Sequence, residues 1–178
     1  MGPDTTRVSA ERRARLMRLA SYASISVALT LVAAKAGAWG LSGSVSLLAS
    51  LADSALDVLA SLLNLVAVHH SLAPADREHR FGHGKAEALA GLAQALFVAA
   101  SAAFVLVESK RRLVDPQVPA ALDAGVAVMV FSMLLTSALL LFQRHVVRVT
   151  GSVAISADAL HFRVDLLVNA SVILALLL

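Results

Sequence analysis

Two aspartates, Asp53 and Asp57, stand four residues apart inside a long apolar run. Such a run predicts a membrane-buried helix, on which residues at i and i+4 share one face. An aspartate at the bilayer centre costs about 2.5 to 3.5 kcal/mol on insertion scales, and two stacked on one face also repel each other. A bound cation, a partner helix or protons must compensate them. A second pair, His161 and Asp165, repeats the spacing in another apolar run. Two helices that each offer such a pair can close four ligands, Asp53, Asp57, His161 and Asp165, around one ion. Three carboxylate oxygens and one imidazole nitrogen in a tetrahedron suit zinc, at about 2.0 to 2.2 Å. Cobalt, iron(II), manganese and cadmium compete for such a site, because selectivity rests on geometry and availability as well as affinity. The alternative is structural: neutral, hydrogen-bonded aspartates and a histidine packed against a carbonyl.

The elements that must position these residues follow from composition. The chain has 178 residues, 58% of them hydrophobic and 15% charged, with a mean hydropathy of +0.79. That is far more apolar than a soluble domain of this size. Aromatic residues make up only 4%, which suits helices packed through small side chains rather than a barrel with aromatic girdles. The expected fold is therefore all-α, a polytopic membrane helical bundle. With no cysteine, any metal must use oxygen and imidazole ligands. The net charge of +3 lies in loops and reads as membrane topology, not as a nucleic-acid surface.

Hydropathy places five spans, at about 19–39, 44–68, 86–107, 122–142 and 153–178. Residues 1–18 carry Arg7, Arg12, Arg13, Arg15 and Arg18 without a cleavage pattern, and read as a cytoplasmic lead-in. Lysine and arginine concentrate in that segment, in the 69–85 loop and in the 143–151 loop, which predicts a cytoplasmic N-terminus. Lys110, Arg111 and Arg112 run against the trend. Within the spans, Asp158 and Arg163 lie off the face of His161 and Asp165 and are expected to line water or to pair with other helices. Lys35 is expected either to snorkel toward the interface or to neutralise a carboxylate. Asn64 shares the face of Asp57 and is placed to support it.

An internal echo links the two ligand pairs. Gly43-Ser44-Val45 begins ten residues before Asp53, and Gly151-Ser152-Val153 begins ten before His161. With an odd number of helices between them, the two motifs start on opposite sides of the membrane. That is an inverted relation, with the site near mid-membrane.

Three strings then carry a resemblance: Gly43-Ser44-Val45-Ser46 leading into Asp53 and Asp57; Pro74-Ala75-Asp76 running into His79-Arg80-Phe81-Gly82-His83-Gly84-Lys85-Ala86-Glu87; and Ala157-Asp158-Ala159-Leu160-His161 leading into Asp165. In these the chain resembles the cation diffusion facilitator family, in its bacterial zinc and ferrous-iron efflux branch. The resemblance implies proton-coupled export of a divalent cation, zinc first, from the cytoplasm across the bacterial inner membrane by a homodimer. It implies that Asp53, Asp57, His161 and Asp165 form the transport site, and that Asp76, His79 and His83 form a second, interfacial metal site. It also gives Lys85 a charge contact that holds the dimer or the cytoplasmic domain. Six spans and a cytoplasmic C-terminal domain are implied as well. Leu178 falls at the end of the fifth span, so five of six helices and no C-terminal domain are expected here, and a non-transporting remnant or partner subunit is the alternative reading. A membrane metalloenzyme is disfavoured, since no His-Glu-x-x-His string occurs.

Overall fold

A computed structural model of the chain describes residues 3–43, 45–74, 77, 80, 82–114 and 122–177. It contains five helices in chain order: α1 (Pro3–Ser42), α2 (Val45–Ser71), α3 (Lys85–Val114), α4 (Leu122–Thr150) and α5 (Val153–Leu177). No strand occurs among the described residues. Among the described residues, four segments are long and apolar enough to cross a membrane: Ser9–Ser42, Leu47–Ser71, Lys85–Ala103 and Val126–Thr150. The fifth helix, with Asp158, Arg163 and Asp165 in its described part, is not among them.

The helices outrun the hydropathy-based spans at several ends. α1 begins at Pro3, α2 carries His69 and His70 in its last turn, and α4 continues through Arg144, His145 and Arg148 to Thr150. Hydropathy marks where the apolar run stops, but arginine and its polar neighbours remain good helix formers, so the helix continues until a breaker intervenes. At two junctions that breaker is the echoed glycine. Gly43 and Gly151 have φ of 62° and 67°, and their amides donate to Trp39 O and Val147 O, each at 2.8 Å. This left-handed cap is strained for any residue with a Cβ. At the second junction Ser152 caps α5: its Oγ accepts from Ile155 N at 3.2 Å and donates to Glu87 Oε1. Glu87 Oε1 also accepts from Ala154 N at 3.3 Å, which sets a carboxylate against the positive end of α5.

The bundle inverts the pattern of a water-soluble protein. Leu89, Leu96, Leu134, Leu141 and Leu167 are more than half exposed, whereas Ser24, Ser54, Ser61, Asn64, Gln94 and Gln143 are buried. Leucines on the outside and hydrogen-bonding groups on the inside are what a hydrocarbon surround demands.

Inside, the packing is layered along the bundle axis. Met17, Ala20, Val68, Ala90, Val146, Ala154 and Ile155 form one apolar cluster. This layer joins α1 at Met17 and Ala20 and the starts of α3 and α5 to the ends of α2 and α4, and Lys35 farther along α1 meets Ser50 near the start of α2, so successive helices run up and down. Helices α3 and α5 come close here, since a Cβ on Gly91 would stand 3.1 Å from Val153 Cγ1. The same end gathers the exposed Arg12, Arg13, Arg15, Arg18, Lys85, Arg144 and Arg148. Arg13 donates there to Thr150 O, at the negative end of α4. Helices α2 and α5 are therefore antiparallel, and their glycine-serine-valine starts lie at opposite ends of the bundle. The inverted relation inferred from the echo holds.

Candidate metal centre

The next layer is polar and centres on Asp158, one turn beyond the apolar layer. Its side chain is completely buried. Ser24 Oγ donates to Oδ2 at 2.5 Å, Gln143 Nε2 donates to Oδ2 at 2.7 Å and Gln94 Nε2 lies 3.3 Å from Oδ1. Gln143 Nε2 also reaches Ser24 Oγ at 2.9 Å, and Gln94 Nε2 reaches Ala60 O at 3.0 Å. One carboxylate thus ties α5 to α1, α3 and α4, and through Gln94 to α2. It pairs with other helices, one of the two roles expected for it. Arg163, its companion in that expectation, is exposed.

One turn farther along α5 lies the cluster that the ligand spacing pointed to. His161 Nε2 stands 3.0 Å from Asp57 Oδ1 and 3.5 Å from Asp165 Oδ2. One ligand atom from each of Asp57, His161 and Asp165 lies within 4.8 Å of the others. Asp57 and His161 are buried and Asp165 is half-buried. Asp165 Oδ2 is itself buried and takes part in no hydrogen bond. An anionic oxygen held out of water without a donor is costly, and a cation relieves it. Two oxygens and a ring nitrogen converging from two helices form a donor set fit for a borderline divalent ion such as zinc.

Asp53 stands outside this three-residue group and is exposed. The reason is register. In antiparallel helices with equal ligand spacing, Asp57 lies level with the His161–Asp165 pair, and Asp53 falls one turn beyond it. It remains in the field of the cluster, interacting electrostatically with Asp57, Lys35 and His161. Asn64 is fully buried, two turns from Asp57, and neither its Oδ1 nor its Nδ2 has a hydrogen-bond partner.

Of the second expected site, Asp76 and His79 lie outside the described residues. His83 is buried and meets His70 edge-on, with ring centroids 4.4 Å apart. His70, from the last turn of α2, was not among the residues singled out for that site. Lys85 is exposed at the first position of α3. The surface groove between α2 and α3, about 320 Å³, is lined by Leu63, Val66, Leu89 and other apolar residues, with His70 the one potential ligand among them.

Sequence reasoning passed over three residues that organise the centre. Gln94 lies in a run read as apolar because charge alone was counted, although a glutamine inside a span is itself a signal of an interior partner, and Gln143 was placed at the start of the 143–151 loop, which is helical here as part of α4. Ser54, between the two aspartates, is fully buried and receives a hydrogen bond of 2.6 Å from Lys35 Nζ. Serine is common in this chain, so that role is visible only once the helices are packed.

Comparison with known proteins accords with this geometry. A family model described as the cation efflux transmembrane domain matches residues 21–178. The chain is 48% identical over 165 residues to the cation-efflux pump FieF of Pectobacterium atrosepticum, an overlap of 93% of this chain and 55% of that protein. It is 47% identical over 162 residues to FieF of Shewanella oneidensis, covering 91% of this chain and 55% of the relative. For FieF of Klebsiella pneumoniae the identity is 46% over 162 residues, with 91% and 54% covered. The chain spans about half the length of the curated relatives it matches. Its matched residues take in α1 from residue 21 onward, the other four helices and the cluster between α2 and α5, and the chain belongs to the cation efflux, or cation diffusion facilitator, family, in which it is FieF-like.

Proposed function

We propose that this chain is the ion-carrying part of a divalent-metal exporter that exchanges its cargo for protons. The observation that carries the reading is the convergence of Asp57, His161 and Asp165 in the bundle interior, with Asp165 Oδ2 left without a hydrogen-bond partner. The relatives' name, cation-efflux pump, supports the direction of transport. Zinc is the first choice of cargo on the donor set, with iron(II), cadmium, cobalt and manganese as competitors. Asp53 is proposed as the fourth ligand, brought in by a shift of about one turn between α2 and α5. A resident metal at His79, His83 and Asp76 belongs to the same reading, as does assembly into a homodimer in the bacterial inner membrane. The basic end of the bundle is assigned to the cytoplasm, since lysine and arginine are retained on that side.

The exchange follows from charge and lone pairs. Neighbouring carboxylates in a poorly solvated interior need positive charge close by, and a metal ion or protons can supply it. A proton shared between His161 Nε2 and Asp57 Oδ1 occupies the nitrogen lone pair that a metal requires, so binding the metal expels it. Two carboxylates and neutral His161 leave no net formal charge with a divalent ion, and Asp53 as a third makes it −1. Both loaded forms are tolerable in the membrane interior. The apolar layer of Met17, Val68, Val146 and Ile155 lies between the cluster and the basic end. Alternating exposure requires that layer to part, after which an inward proton gradient drives metal outward. No covalent chemistry enters.

The test is Asp57→Ala in the complete protein, reconstituted in lipid vesicles, with zinc-dependent proton release recorded. The variant is expected to release none. Release equal to that of the unmodified protein would remove Asp57 from the site and end this reading.

A further inference from the structure

Among the described residues of the bundle interior, two charged side chains stand outside the exchange: Asp158, met by neutral donors, and Lys35. We infer that Lys35 is a resident counter-cation that sets how tightly the site holds its divalent ion. The inference rests on the proposed transport site and adds a residue that determines its affinity.

The geometry separates this role from snorkelling. A snorkelling lysine keeps its head group in water at the interface. Lys35 is only 7% exposed, and its ammonium group is tied down inside the bundle. Its Nζ donates to Ser54 Oγ at 2.6 Å and to Ser50 O at 3.2 Å, both on α2. Ser54 lies one turn before Asp57 on the same face of α2, and both are buried. These two bonds therefore hold a positive charge of α1 against the ligand-bearing face of α2. The charges that face it are Asp57 and Asp53 from α2 and Asp165 from α5. Helix α4, also packed on α1, carries no acid among its described side chains.

An ammonium group has three donors and no lone pair, so Lys35 cannot ligate the ion and acts only through its field. That field lowers affinity in two ways. It stabilises the carboxylates when cargo is away, and it repels the arriving divalent ion, with both effects amplified in a low-dielectric interior. The balance suits an exporter. Three carboxylates without a counter-charge would bind a divalent ion too tightly to release it, whereas one fixed positive charge leaves the loaded site near neutrality and its cargo free to go.

The test compares Lys35→Gln, which keeps a donor for Ser54 but loses the charge, with Lys35→Arg, which keeps the charge. Zn²⁺ and Cd²⁺ are titrated calorimetrically into the complete protein in lipid nanodiscs, with Asp57→Ala alongside. Lys35→Gln is expected to bind both ions more tightly by roughly tenfold or more, and Lys35→Arg to bind as the unmodified protein does. A lysine that only braced the helices would give the opposite sign, because loosening the site weakens binding. Unchanged or weaker binding in Lys35→Gln overturns the inference, as does failure of that variant to fold even with saturating Cd²⁺, since the ion replaces the lost positive charge. If Asp57→Ala removes one binding site while Lys35→Gln binds as before, the transport site stands and this inference alone falls. If Asp57→Ala binds normally, the site itself is lost.

Discussion

Asp158 and Asp165 lie about two turns apart on one helix and are both held in the interior, yet their surroundings differ in kind. Asp158 receives a hydroxyl from Ser24 and amides from Gln94 and Gln143, so fixed neutral donors from three helices meet its charge. Asp165 has a buried oxygen with no donor and faces His161 at 3.5 Å. The first carboxylate is complete as it stands and joins helices, whereas the second is incomplete and asks for a cation. Helix α5 thus divides into a locked first half and a second half in which demand for positive charge is left open. An acid in a span is a functional candidate by default, but its donors decide whether the function is architecture or cargo.

The sharpest way to break the comparison is to remove each acid in turn. Asp165→Ala is expected to weaken zinc binding by more than the roughly 10–100-fold typical of a ligand's supporting partners, while metal-free thermal stability changes little. Asp158→Ala should do the reverse. It takes the shared acceptor from three buried donors, which fall back on Ala20 O, Ala60 O and Ser24 Oγ, and costs about 1–3 kcal/mol, read as a lower melting temperature in detergent or nanodiscs. Equal losses of stability in the two variants would erase the distinction between the halves.

A smaller effect sharpens the same contrast at the start of the helix. Ser152→Ala removes the cap on Ile155 N and the bond to Glu87 and is expected to cost about 1 kcal/mol, with zinc affinity retained. A change in affinity comparable to that of Asp165→Ala would mean that the locked half sets the geometry of the open one.

Much of this was legible before packing was known. Polar groups are expensive in hydrocarbon, so Asp57, His161 and Asp165 stood out, and the repeated glycine-serine-valine starts gave their antiparallel relation. The up-and-down bundle followed from the apolar runs alone. Helix ends were less legible, because Arg144 and Arg148 cost the helix nothing while lowering hydropathy. Register was not legible either. Four matched positions on two helices gave no reason for Asp57 to stand level with His161 and Asp53 to stand a turn away. The partner of Lys35 was equally hidden, since a flexible four-carbon stem reaches several neighbours and only packing chooses Ser54.

The central claim is that one divalent ion is shared by Asp57 and Asp165 oxygens and the His161 ring nitrogen. X-ray absorption at the zinc edge, on the zinc-loaded complete protein and on His161→Ala, tests it most directly. The account predicts oxygen donors with imidazole nitrogen at about 2.0–2.1 Å, and in the variant an imidazole contribution reduced to that of the separate site proposed at His79 and His83. An imidazole signal of unchanged strength in His161→Ala, or none in the unmodified protein, would contradict it.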